Sequence, residues 1–504
     1  GRLVVGWPNE PYLGNVVISL RGDHSTRDLQ LPSGPNVGSK AIAVFGGLDL
    51  FGKPQTPSWT SLTQTANAGD NTITLADPVD WEAGQEIVIS PTGFTAVETE
   101  TFAIAAVSND GRILTLDGSL QYKHLYASDT FDNGESYTIA AEVALLNRNI
   151  KIEGASYDDQ EEESFGARVL VGSFSSGGQA YTGYARIRDV EFVRTGQEGW
   201  TDHYDPRYSL AFIDIGDVPA DRPSFVDNSV FHHGFAPGIG VFGTNNLNLT
   251  NNVVHHTVGQ GIILTGMGNR LSDTLITYSI WPGTYQDRYE SASQKWEGAL
   301  EVQDATNVIL KGNHIAGAER VGIHMDGEPC TDDSWGWSDN VIHTAIHGIH
   351  IYMDGVGECS RVRNFVIWKC FSYGVYFQSK DSAVLESNTL VDNGIGSFLS
   401  IIGPESLSHV MVDKTVTVRD SLYVGRSSAF DCHPLLGNSG TDVLSLLLVG
   451  VTFANYNEAC GKEDVALHTW SGNEDGTHPV STEALHFDNV PVDNRVFIDR
   501  PSVR

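Results

Sequence analysis

An asparagine recurs through the middle of the chain at a nearly fixed interval, each time followed by a short apolar stretch and a Gly-Ile or Gly-Val pair. The anchors are Asn228, Asn252, Asn313, Asn340, Asn364 and Asn388, with separations of 24, 61, 27, 24 and 24. Thr274 divides the interval of 61 into 22 and 39, and the 39 reads as one repeat carrying an inserted loop at residues 281–296. The matching glycines are Gly238, Gly261, Gly322, Gly348 and Gly374. A unit of about 24 residues holds three short strands and three turns but cannot bury its own apolar side, so neighbours must stack and share a core. Asparagine at a fixed phase suits such a stack, because it tolerates left-handed backbone and its amide bonds to neighbouring backbone groups. The pattern of leucine-rich repeats is absent, as are the long amphipathic segments of helical solenoids. The expected fold class is all-β, a right-handed parallel β-helix with a small N-terminal β domain.

The text before the repeat is strand-like but irregular. Residues 1–56 read as part of that N-terminal β domain, residues 57–150 as a β-rich connecting domain, and residues 151–504 as the β-helix with loop insertions. Within the second block, Asp110-Gly111 between two apolar runs predicts a type I′ hairpin. The acidic run at 156–166 reads as a solvated loop.

The chain has 504 residues, 40% of them hydrophobic, which is enough for a large core. Its formal net charge is −32. So acidic a surface repels nucleic acid and anionic lipid, and calcium is the one cofactor it suggests. The longest apolar run, Val443 to Phe453, is too short to span a bilayer and reads as a buried strand. No signal peptide opens the sequence, so a mature fragment or excised piece is expected, with any membrane attachment outside it. Of five cysteines, Cys330 and Cys359 are 29 apart and Cys432 and Cys460 are 28 apart. Each interval is close to one coil, which places each pair on adjacent coils as a disulfide and leaves Cys370 free and buried.

Alternation along a strand turns the Ile or Val after each glycine inward and the next residue outward. His324, His350 and Tyr376 are thereby stacked on one outer face, with Asp326, Asp354 and Gln378 beside them. Such a face suits binding of an extended polysaccharide, and an acid and a base could be drawn from His324, Asp326, His350 and Asp354. His232-His233 and His255-His256 form two pairs 23 residues apart. Adjacent strand residues face opposite ways, so at most one histidine of each pair could converge, and no metal site is assigned. Loop aromatics, namely Trp200, Tyr204, Tyr208, Trp281, Tyr285, Trp296, Trp335 and Trp337, suit either sugar stacking or packing down onto the coil. Asp202, Asp205 and Arg207 add charge to the first of these loops. Asn248-Leu249-Thr250 is a glycosylation sequon, and alternation directs Asn248 outward.

The segments SLAFIDIGD, FHHGFAPGIGVFGT, WPGTYQ, HMDGEPC, VIWKCFSYGVYFQ and TLVDNGIG resemble the fibrocystin-L-like proteins of the polycystic kidney and hepatic disease family. GNVVISLRGDH, SWTSL and VDWEAGQEIVIS resemble the end of the glycine-named (G8) domain, an arrangement shared with the hyaluronan-binding, cell-migration-inducing proteins. The resemblance covers about residues 10–450. It implies a large extracellular or cell-surface protein with a parallel β-helix, which recognises a glycan or a protein partner without turnover. The alternative it carries is a depolymerase of hyaluronan-like polysaccharide acting on the exposed face.

Overall fold

The computed structural model describes residues 1–32, 34–199, 204–282, 296–352, 357–401, 414–432, 438–443, 446–461, 464–469 and 480–498. Most of its strands stack in parallel into three long faces, as the repeat requires; Gln179–Thr182 and Glu328–Pro329 join these sheets as antiparallel edge strands. One face begins with a seven-stranded sheet running from Arg2–Val5 to Ile309–Lys311, and a six-stranded sheet follows it along the chain. The second face has thirteen strands and the third has fourteen. A single coil shows the order: Asn248–Thr250 on the first face, Val253–Val258 on the second, Ile262–Met267 on the third. Arg270–Ser272 then pairs in parallel with the strand that opened the coil. The fold is a right-handed parallel β-helix. Alternate residues of all three faces meet in one core, which includes Leu249, Val254, Ile262, Ile323, Ile349 and Val375, each at most 1% exposed.

The sheets do not break at residue 56. Arg2–Val5 and Gly47–Phe51 lie on the first face, Val16–Leu20 pairs with Ile150–Gly154 on the second, and Ala41–Val44 pairs with Arg168–Ser176 on the third. The N-terminal strands therefore serve as the opening of the solenoid, because their parallel edges and apolar sides continue its core. Between them and Ile150, antiparallel strands form a separate unit with its own core of Leu75, Ile87, Ile89, Leu114 and Val143. Its hairpin forms between Glu100–Val107 and Ile113–Leu116. Only Gly111 of the Asp-Gly pair has positive φ, so the turn is not type I′, which needs positive φ at both central residues.

The periodic asparagines divide into two sets. Asn252, Thr274, Asn313, Asn340 and Asn388 are buried in the turn between the first and second faces. Each side-chain oxygen accepts the backbone N–H of the coil before: Ser229 N to Asn252 at 3.0 Å, Asn252 N to Thr274 at 3.3 Å, Thr274 N to Asn313 at 3.2 Å, Asn313 N to Asn340 at 3.1 Å. Asn228 and Asn364 sit one residue earlier, in left-handed backbone with φ of 49° and 60°. They share their phase with Asn251, Asp273 and Asp339. The uniform spacing of 24 therefore joined two adjacent columns, and the ladder steps are 23, 22, 39 and 27 residues.

Cys330–Cys359 and Cys432–Cys460 are disulfides and Cys370 is free and buried. The apolar run from Val443 is divided among three strands on different faces: Val443 ends Asn438–Val443, and Leu446–Val449 and Thr452–Ala454 follow, with Gly450 at φ 62° between the last two. The acidic run contains one short helix, Gln160–Glu163. Tyr208, Trp335 and Trp337 are folded down and buried, whereas Tyr204 is 69% exposed. Trp200, Asp202 and Tyr285 lie outside the described residues. Asp205 bridges Arg168 at 2.9 Å and Arg207 at 2.9 Å, so these residues brace the loop.

Asn248 is exposed between the buried Leu247 and Leu249, as alternation requires. When the chain passes through a secretory pathway, enzymatic removal of N-glycans is expected to lower its mass, and Asn248→Gln to abolish that shift. The substitution should change stability by no more than about 0.5 kcal/mol in chemical denaturation, because the side chain is at the surface.

Candidate ligand-binding face

On the third face, Gly298–Thr306, Val321–Met325, His347–Tyr352, Tyr373–Ser379 and Ile395–Ile401 run in parallel. Their register places Glu301, His324, His350, Tyr376 and Phe398 in one column. The inward neighbours Leu300, Ile323, Ile349 and Val375 are in the core. Sequence alternation thus predicts the column and its orientation.

The column is less open than alternation alone implies. His350 is 2% exposed. The indole of Trp296 lies flat against His347 and His350, with centroid distances of 4.8 and 5.2 Å and interplanar angles of 7° and 8°. His350 stacks on Tyr376 at 4.8 Å and 6°, and Tyr376 on Phe398 at 5.1 Å and 13°. These separations match the spacing of paired strands, about 4.8 Å. The aromatic faces are consumed by one another. Burial lowers the pKa of His347 to about 4. Burial, with His347 and His324 nearby, lowers that of His350 to about 3. Both imidazoles are neutral at physiological pH, which suits a stack that could not accommodate adjacent positive charges. Burial raises the Tyr376 hydroxyl to about 12, so it remains a donor.

Polar groups border the stack at both ends. Glu301 accepts the backbone N–H of Gly298 at 2.8 Å, and its other oxygen lies 2.7 Å from His324 Nδ1. Gln303 Nε2 is 3.1 Å from the same ring nitrogen. At the other end the Tyr376 hydroxyl donates to Gln378 Oε1 at 2.6 Å. Gln378 is in register with Tyr352, which is 45% exposed. Asp326 follows the end of its strand and is half-buried, outside that register. Asp354 lies outside the described residues. The structure therefore brings together His324, His350, Tyr376 and Gln378, and adds Trp296, Glu301, Gln303, His347 and Phe398. Glu301 was legible as the residue in phase one coil before His324. The contribution of Trp296, which stands just before the strand Gly298–Thr306, has no signal in the repeat.

The histidine pairs depart from expectation. His233 and His256 have φ of 51° and 54°, which breaks strand alternation and brings each beside its neighbour. His232 Nδ1 and His233 Nδ1 are 2.8 Å apart. A separate cleft of about 700 Å³ opens between the antiparallel unit and several successive coils of the helix, with Trp59, Asp77, Arg188, Asp227 and Asp273 on its walls.

Comparison with known proteins places this architecture. Residues 1–63 match the G8 domain family and residues 175–349 the CEMIP beta-helix family. Fibrocystin-L of Homo sapiens is 39% identical across 100% of this chain and 13% of its own length, and that of Mus musculus is 38% identical across the same shares. Fibrocystin of Canis lupus familiaris is 31% identical over 79% of this chain and 9% of its own. The chain thus spans about one eighth of the fibrocystin-L proteins it matches (13%). Among solved structures, the catalytic unit of a GH87 alpha-1,3-glucanase from Streptomyces thermodiastaticus aligns with a TM-score of 0.42 at 11% identity, covering 86% of this chain and 97% of that one. No helix among the described residues is long and apolar enough to cross a membrane. With a G8 match at its start, a CEMIP beta-helix match behind it and 39% identity along its whole length, the chain is similar throughout to one part of fibrocystin-L.

Proposed function

We propose that this chain is a glycan-binding β-helix module of an extracellular, fibrocystin-L-like cell-surface protein, and that an extended glycan lies along the outer column of the third face. The observation that carries the reading is the register of Glu301, His324, His350 and Tyr376, which sets a polar side chain on the same column at each coil. His324, Asp326, Tyr376 and Gln378 supply hydroxyl-recognising groups, and the buried His350 holds the stack in place. The net charge of −32 favours a neutral glycan, since a polyanion would be repelled. Two disulfides fit an oxidising, extracellular compartment.

A panel of neutral and anionic glycans, with and without calcium, tests this reading. Binding to a neutral extended glycan is expected without release of products. Tyr376→Phe and Gln378→Ala should each weaken it about 2- to 10-fold, the value of one net hydrogen bond. Asn248→Gln, on another face, should leave it unchanged. Absence of binding to every neutral glycan, or binding indifferent to both face substitutions, rejects the site. New reducing ends or unsaturated products would replace the binding reading with a depolymerase, for which Glu301 and His324 stand adjacent as acid and base.

A further inference from the structure

The two histidine pairs occupy consecutive coils at the edge of the second face, with His232 and His255 in register. Left-handed backbone at His233 and His256 gathers all four rings on one side. Their centroids are 5.0 Å apart for His232–His233, 5.2 Å for His233–His256, 5.9 Å for His255–His256 and 6.0 Å for His233–His255. Imidazoles bound to one tetrahedral ion through bonds of about 2.0–2.1 Å have centroids roughly 5 Å apart, so the rings are already near that spacing.

The surroundings fit the same role. Glu191 Oε1 lies 3.1 Å from His232 Nε2 and is itself held by Lys151 Nζ at 2.7 Å. A carboxylate on the far nitrogen is the usual means of orienting a ligating imidazole. It leaves His232 Nδ1 facing His233 Nδ1 at 2.8 Å. His255 Nδ1 and its register neighbour Thr277 Oγ1 are buried without a hydrogen-bond partner. The nearby cation, Arg194, is tied to Glu153 at 2.9 Å. Among the described residues, the trio whose ligand atoms already lie within 4.8 Å of one another is Asp132, His486 and Asp488. The histidines therefore need a ring flip, which exchanges nitrogen and carbon edges while the ring keeps its place.

We propose that His232, His233, His255 and His256 form a binding site for a divalent transition-metal ion of the zinc and copper class, with Glu191 as its positioning carboxylate. Imidazole donors select such ions over calcium and magnesium, which prefer oxygen.

The test uses the whole chain without a histidine tag, stripped of metal and titrated with Co²⁺ followed by absorption and then with Zn²⁺ in competition. One ion per chain in a nitrogen-rich environment is expected. His233→Ala and His256→Ala, both at partly exposed positions, should each weaken binding at least tenfold with an unchanged circular dichroism spectrum. His486→Ala should leave binding intact. No binding by the wild-type chain, or full binding by the His233→Ala/His256→Ala double variant, overturns the proposal. Loss of binding in His486→Ala alone assigns the ion to the Asp132 trio and overturns it equally.

Discussion

Replacing Asn313 with alanine is expected to destabilise the β-helix by about 2–6 kcal/mol, the sum of two unsatisfied buried groups at about 1–3 kcal/mol each. Asn313 is 1% exposed. Its side-chain oxygen accepts the N–H of Thr274 at 3.2 Å, and its amide donates to the Leu271 carbonyl at 2.9 Å and to Asn340 Oδ1 at 3.0 Å. Alanine leaves the Thr274 donor and the Leu271 acceptor inside the core with no water to replace the lost partner. The same side chain links three coils, so the damage should spread along the stack. Urea denaturation followed by circular dichroism checks it: the midpoint should fall well below wild type, and the same substitution at Asn388 should behave alike. Stability within about 0.5 kcal/mol of wild type, as expected for a surface change, would show that the ladder is not a source of cohesion.

Glu142→Ala should be comparably severe, by about 3–5 kcal/mol, because it removes the carboxylate at the centre of a buried hydrogen-bonded cluster and strands the remaining members. Glu142 is fully buried where the antiparallel unit meets the second face. Its oxygens lie 2.6 Å from His314 Nδ1 and 3.0 Å from His343 Nε2, and the Ser90 hydroxyl donates to it at 2.5 Å. The His343 ring rests on Trp368 at 3.9 Å. Burial pushes the Glu142 carboxyl upward, yet the two imidazoles prevail and hold it well below the ordinary carboxylate range. A carboxyl depressed in the folded state contributes stability that is fully present above its unfolded pKa, about 4.3, and is lost as the pH falls toward the folded value. Thermal denaturation between pH 7 and pH 3 should therefore show a steeper fall in Tm below about pH 4 for wild type than for Glu142→Gln. The glutamine keeps the shape of the side chain, so parallel pH profiles would show that this carboxylate is not the acid-sensitive element.

The inward and outward assignment of the third face was legible in the sequence. Ile323, Ile349 and Val375 are in the core and His324, His350 and Tyr376 share one column. It was legible because strand alternation has a period of two and the coil repeat fixes which residues meet. The disulfides were legible for the same reason: 29 and 28 residues return the chain to nearly the same point of an adjacent coil. What alternation could not supply was any position where the backbone leaves the strand. His233 and His256 adopt left-handed φ, so pairs that should have diverged lie together. Asn228 and Asn364 differ from the ladder asparagines by one residue, which separates a turn-forming role from a core hydrogen-bonding one. The opening coil was equally hidden, because residues 1–56 find their sheet partners only beyond residue 146 or within their own segment.

The sequence by itself determined that this protein is a stack of coils with a continuous apolar interior and a polar outer column. Periodicity is a property of the chain, and burial of apolar side chains at a fixed period admits few architectures. Only the tertiary structure decided how open that column is. Trp296, just before the strand Gly298–Thr306, covers His347 and His350, and the rings of the column are spent on one another. Tertiary contact likewise decided that Glu142 meets His314 and His343, partners 172 and 201 residues away in the chain. Such contacts depend on where a loop or an inserted unit lands on the solenoid, and no local pattern of residues encodes that landing.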